Sequence, residues 1–97
     1  MQKTNLTEGK IMKDKIFGYK QAKALLINGK RVLRSYETLV ASIDDKGTLH
    51  RHWDGYSPTT ARHISIFMRH FDAELPPTDK RYKSFKSQWL DMPVEAI

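Results

Sequence analysis

The sequence predicts one α+β domain, an antiparallel β-meander of three to four strands followed by two α-helices packed on one face. Three observations point there. Asn28-Gly29 stands between two apolar-rich runs, the stretches 37–44 and 48–53 alternate between apolar and polar residues, and Ser57-Pro58 opens a run whose apolar residues recur every three or four positions.

The first strand pair is set by its turn. Asn-Gly supplies the two positive-φ residues that a type I′ hairpin requires, and a two-residue loop pairs Ile27 with Lys30, Leu25 with Val32 and Ala24 with Leu33. Leu25 and Val32 then share one face, with Leu26 and Arg31 on the other; the register does not say which face is core. In the next run, Leu39, Ala41 and Ile43 fall on one side and Thr38, Val40 and Ser42 on the other, as in a half-buried strand. Residues 44–47 form a turn with Gly47 suited to a left-handed position. The last strand directs Leu49, Arg51 and Trp53 one way and Thr48, His50 and His52 the other.

Asp54, Gly55 and Tyr56 break that strand. Ser57 then reads as a helix N-cap and Pro58 as the first helical residue, where its missing N–H costs nothing. Ala61, Ile64, Phe67, Met68 and Phe71 form an apolar stripe able to lie across the sheet, leaving Arg62, Ser65 and Arg69 facing away. Pro76-Pro77 ends this unit. Thr78 or Asp79 can cap a second helix with the stripe Tyr82, Phe85, Trp89 and Leu90, while Lys80, Arg81, Lys83 and Lys86 stay in water and Pro93 terminates it.

Ninety-seven residues with 39% apolar content suit one modest core. The domain is placed at residues 21–97, and residues 1–20 are expected to form a basic, flexible arm with a short helix over 11–17. The chain has no cysteine, so neither a disulfide framework nor a thiolate metal site is open to it, as suits a reducing cytoplasm. The longest apolar run covers 24–27, too short to span a membrane, and the N-terminus lacks the apolar core of a signal peptide. A soluble protein of the bacterial cytoplasm is expected.

The net charge of +6 is unevenly placed. Residues 1–35 hold nine Lys and Arg against two acids, whereas the remainder holds eight against nine. A basic first third is drawn to phosphate backbones or to an acidic protein face; a solvated tail that keeps the protein soluble is the alternative. The candidate binding residues are Lys30, Arg31, Arg34, Arg51, Arg62 and Arg69 for phosphates, with Tyr56 and His63 beside them, and Lys80, Arg81 and Lys83 on the basic side of the second helix, which from Lys80 to Lys86 is either a solvated face or an electrostatic landing strip.

Chemistry is harder to place. His50 and His52, two apart on a strand, point the same way and could share a metal or an acid–base task, but the third ligand, His63 or His70, would have to come over from the helix. No metal or cofactor is expected, and no catalytic residue is assigned; Ser57 is better explained as a cap than as a nucleophile. The enzymatic alternative is a metal-independent ribonuclease built on His50 and His52.

The stretch SYETLVASID, followed by GTLHRHWDGYSPTTARHISIF, resembles a group of small, mostly uncharacterised proteins from phages and plasmids of Gram-positive bacteria. Their pattern is S-Y-x-T-x-V-A, then W-x-G-Y-S-x-T-T-x-R-H-I. Here it falls on Ser35, Tyr36, Thr38, Val40 and Ala41, then on Trp53, Gly55, Tyr56, Ser57, Thr59, Thr60, Arg62, His63 and Ile64, and it covers residues 35–71. Proteins of this size and origin include anti-CRISPR inhibitors of type II systems. The resemblance implies a non-enzymatic inhibitory binder of a CRISPR effector nuclease or its guide RNA. A DNA mimic would be acidic, so a basic inhibitor is expected on guide RNA, on the ribonucleoprotein or on an acidic patch of the nuclease. The alternative is a small basic regulator binding DNA or RNA directly, with homodimerisation through an exposed sheet edge open to either.

Overall fold

The computed structural model describes residues 10–11 and 21–97. Five strands, β1 (Lys10–Ile11), β2 (Ala22–Ile27), β3 (Lys30–Ser35), β4 (Thr38–Ile43) and β5 (Leu49–Arg51), form one antiparallel sheet in sequential order, followed by helices α1 (Pro58–His70) and α2 (Phe85–Asp91). The α+β meander read from the sequence is therefore present. It gains the short edge strand β1, which pairs Lys10 with Leu26 and Ile11 with Leu25. The rest of the 1–20 segment lies outside the described residues; of the helix expected over 11–17, Ile11 belongs to β1 and the remainder falls outside them.

The β2–β3 hairpin has the register its turn dictates, Ile27 opposite Lys30, Leu25 opposite Val32 and Ala24 opposite Leu33. Asn28 and Gly29 adopt φ of 51° and 81°, the left-handed pair that matches the twist of the flanking strands. Gly47 is likewise left-handed, at φ 85°.

Strand β4 departs from simple alternation. Its register against β3 shifts between Leu33 and Arg34, so Ala41 faces Leu33 while Leu39 faces Arg34. Val40 is the extra residue of a β-bulge, which turns it and Ala41 toward the same side. Val40 accordingly joins the main core, while Leu39, expected beside Ala41, packs on the opposite face with Leu25, Ile27 and Val32. The main core joins Ala22, Ala24, Leu33, Ala41, Ile43 and Leu49 of the sheet to Ile64 and Phe67 of α1 and Trp89 of α2. Full burial of side chains as large as Phe67 or Trp89 contributes roughly 1.5–3 kcal/mol each.

Helix α1 starts as its sequence directs: Ser57 is extended, its side chain accepts from the Thr60 N–H at 3.1 Å, and Pro58 follows. It stops before the prolines. Asp72 turns left-handed at φ 57°, and the Ala73 N–H reaches the Met68 carbonyl at 2.8 Å while the Asp72 N–H reaches that of Arg69 at 3.4 Å. That Schellman pairing satisfies carbonyls the last turn would otherwise leave open.

The second helix is shorter than the apolar spacing suggested. Its cap is Ser84, whose hydroxyl accepts from the Ser87 N–H at 3.2 Å, not Thr78 or Asp79. Tyr82 and Lys80 lie in the connection and both bond the Asp91 carboxylate, at 2.5 and 3.3 Å. Of the expected stripe, Trp89 is buried and Leu90 is exposed.

The outer edge of β5 is occupied. The Leu49 N–H donates to the Glu74 carbonyl at 2.9 Å, and the Glu95 N–H donates to the Arg51 carbonyl at 2.8 Å, each within a single-residue parallel bridge, Thr48 to Glu74 and Arg51 to Val94. A sheet-edge dimer therefore has no open β5 edge to use. Among the described residues no helix is long and apolar enough to cross a membrane.

Candidate binding groove

Arg62, Ser65 and Arg69 recur at spacings of three and four, so α1 presents them on one face, opposite the buried His63, Ile64 and Phe67. The chain leaving α1 returns through Ser84, Phe85 and Lys86, and the two segments enclose an open hollow of about 660 Å³, with Tyr56 and Pro58 at one end and Ala73 at the other. Its charged lining residues are Arg62, Arg69 and Lys86, with no carboxylate among them. Lys86 Nζ lies 5.2 Å from the centroid of the Tyr56 ring, a cation–π contact that holds the ammonium over the groove. The Phe85 ring stacks on Trp89 at 5.8 Å between centroids, which anchors the groove wall to the core.

Beside the groove, and sharing Arg62 and Pro58 with it, is a second open hollow of about 340 Å³ lined also by Gln21, Tyr36, Thr59 and His63. The floor is a buried polar knot. Ser35 Oγ lies 2.9 Å from His63 Nδ1 and 3.3 Å from Thr60 Oγ1, and burial, with Arg62 adding to it, holds the His63 pKa below its ordinary value. The two separate motif stretches, Ser35-Tyr36 and Thr59 to His63, thus meet in space.

Tyr56, Arg62 and Arg69 are brought together in the groove. His63 is 1% exposed and supports the hollow from below rather than reaching outward. Arg51, expected among the phosphate contacts, is 4% exposed. Its guanidinium donates to the carbonyls of Trp53, Asp54 and Met92 at 2.8 Å each and of Leu90 at 3.4 Å, and lies over the Trp89 ring. It is a structural tie between the β5 end and α2, because its alternation on β5 aims it at the helices. Arg34 is engaged by Glu37 at 2.6 Å and by the Tyr36 carbonyl at 3.0 Å. Arg31 covers the Phe71 ring, and it and Lys30 line a different hollow that also holds Asp44 and Asp45. Lys80 pairs with Asp91, and Arg81 and Lys83 are exposed on the connection between the helices.

The strand histidines are held by the C-terminal segment. His50 Nε2 lies 2.8 Å from Asp44 Oδ2, and its Nδ1 lies 3.0 Å from a Glu95 carboxylate oxygen. The Asp44 hydrogen bond, then that of Glu95, raises the His50 pKa above its ordinary value, while the bond from His50 and the Thr48 N–H hold Asp44 at about 2. A carboxylate sits on each ring nitrogen, so neither nitrogen of His50 is left facing a substrate as a general base would be. The carboxylates also lie on opposite ring nitrogens, so they do not converge on one ion; among the described residues no group of three His, Cys, Asp or Glu could hold a metal. His52 has the outline of a hydrolytic dyad, its Nε2 at 2.7 Å from Ser42 Oγ and its Nδ1 at 2.7 Å from the Glu95 carbonyl. Ser42, however, is 2% exposed within the sheet, out of reach of a substrate.

A family model matches residues 4–86. The chain belongs to this family, DUF8033, a family of unknown function. The DUF8033 match contains every lining residue of both hollows and stops before Glu95, so it takes in the groove and leaves out the segment that clamps His50 and His52. No curated protein and no solved structure matches the chain.

Sequence reasoning missed Ser84 as a groove residue and put Lys86 on the separate basic side of the second helix, because a helix expected to begin near residue 79 presents both away from α1. Tyr36 was missed as well. Its signal was an aromatic residue inside a two-residue connection, where Gly or Asn is usual.

Proposed function

We propose that the protein is a binding protein that works as a mobile-element inhibitor of anti-CRISPR type, with its basic groove docking the guide RNA of a type II effector nuclease, free or loaded. The observation that carries this reading is the groove lining: Arg62, Arg69 and Lys86 with the aromatic Tyr56 and Phe85, and no carboxylate. Cations spaced along a trough with aromatic walls suit a phosphodiester chain with accessible bases. The resemblance of residues 35–71 to small phage and plasmid proteins supplies the class of partner. The locked state of His50 and the burial of Ser42 argue against a nuclease.

A phage or plasmid regulator that binds DNA or RNA by itself would use the same three cations, and the two readings separate on whether an effector is needed. The test is target-DNA cleavage by type II effectors, with the protein added before or after guide loading. Inhibition that is strongest when the protein is added before loading is expected. Undiminished cleavage at large molar excess across several effectors would contradict the inhibitor reading.

A further inference from the structure

Tyr36 opens the two-residue β3–β4 connection in the left-handed region that Asn28 takes in the β2–β3 turn. Its φ is 55°, in the left-handed region where a Cβ-bearing aromatic residue is strained. The position is held from three sides: the Tyr36 N–H donates to the Gln21 carbonyl at 2.6 Å, the Tyr36 carbonyl accepts from Arg34 Nε at 3.0 Å, and the ring lies 6.1 Å from that of His63. Yet the side chain so held is 55% exposed. Burial does not repay this strain, and a glycine would make the turn without it.

Tyr36 instead lines the hollow together with Arg62, Thr59 and Gln21. We infer that this hollow takes a single unpaired nucleobase: the Tyr36 ring stacks on it, Gln21 and Thr59 bond its edge, and Arg62, shared with the groove, holds the adjoining phosphate. The inference rests on the RNA-binding reading and narrows it to single-stranded RNA with a free base, since a paired base cannot present its face to Tyr36. An exposed π face beside a guanidinium, flanked by two neutral hydrogen-bonding side chains, suits a base better than an acidic peptide, which would need no ring.

The test uses the full chain with two probes, a single-stranded oligoadenylate carrying 2-aminopurine and a blunt RNA duplex of the same length. The expected result is quenching of the 2-aminopurine on binding, and a loss of single-strand affinity of about 5- to 100-fold in Tyr36→Gly, with duplex affinity unchanged and thermal stability no lower. Tyr36→Phe keeps single-strand binding, whereas Tyr36→Leu, which keeps an apolar side chain and the strain but not the π face, loses it; this second pair decides the matter should the glycine variant fold poorly. Single-strand binding that survives Tyr36→Gly or Tyr36→Leu, or an equal loss on both probes, overturns the inference and leaves the groove reading standing. Failure of the unmodified protein to bind either RNA overturns both.

Discussion

Ser35 and His63, 28 residues apart, meet at 2.9 Å between Oγ and Nδ1 beneath the first turns of α1. The contact locks the end of β3 to the helix that carries Arg62, so fold and groove are joined through one buried polar pair. Ser35→Ala leaves a buried imidazole short of this partner, at a cost of about 1–3 kcal/mol. Thermal denaturation should register that as a drop of about 4–8 °C per kcal/mol, and an unchanged melting temperature would mean that the pair adds nothing.

Arg51 is expected to be the most sensitive arginine in the chain. Its fork serves carbonyls from the β5 end and from the end of α2, a geometry that an ammonium cannot copy. Arg51→Lys should therefore destabilise by on the order of 3 kcal/mol in urea titrations, since buried carbonyls lose their donors, whereas Arg81→Lys on the exposed connection should be neutral.

The His50 clamp gives stability a defined pH dependence. His50 holds its proton more tightly folded than unfolded, so its contribution is complete below 6.5 and is lost as the pH rises through the higher folded value. Asp44 works in the opposite sense: with its folded value at about 2 against 3.8 unfolded, its contribution is complete above 3.8 and is lost as the pH falls toward 2. His63, held below its ordinary 6.5 by burial and Arg62, costs stability only on the acid side of 6.5. Melting temperature should thus fall as the pH rises above 6.5, and His50→Gln should abolish that fall and also shrink the acid-side loss, because the bond from His50 is the chief cause that holds Asp44 low. A variant with the same alkaline slope as the unmodified protein would assign the slope to another group.

The parts of the fold that were legible in the sequence are those fixed by local chemistry. Asn28-Gly29 set a turn and through it a register, and Ser57-Pro58 set a helix start. What escaped depends on tertiary competition. The Val40 bulge reversed the expected faces of Leu39 and Val40, because strict alternation carries no mark of an inserted residue. Helix α2 begins only at Phe85, capped by Ser84, while Lys80 and Tyr82 are held in the connection by Asp91, eleven and nine residues ahead. For the site, Tyr56, Arg62 and Arg69 were found because helical spacing and charge are local properties. Arg51 misled because an arginine on an alternating strand is as able to be buried against backbone carbonyls as to face water. Lys86 joins the groove only through the return of the chain after α1.

The groove cations act through phosphate charge. Arg62→Gln, Arg69→Gln and Lys86→Gln should each weaken RNA binding with little regard to sequence, and each should reduce the salt slope by about 1. Lys46→Gln, on the turn before β5, should leave both unchanged. The most direct measurement is the salt dependence of guide-RNA binding by the unmodified protein and by the variant carrying all three groove substitutions. Steep salt dependence in the first, with a slope smaller by about 2 to 3 in the second, is the expected result; equal affinities and equal slopes in the two would contradict a nucleic-acid groove at Arg62, Arg69 and Lys86.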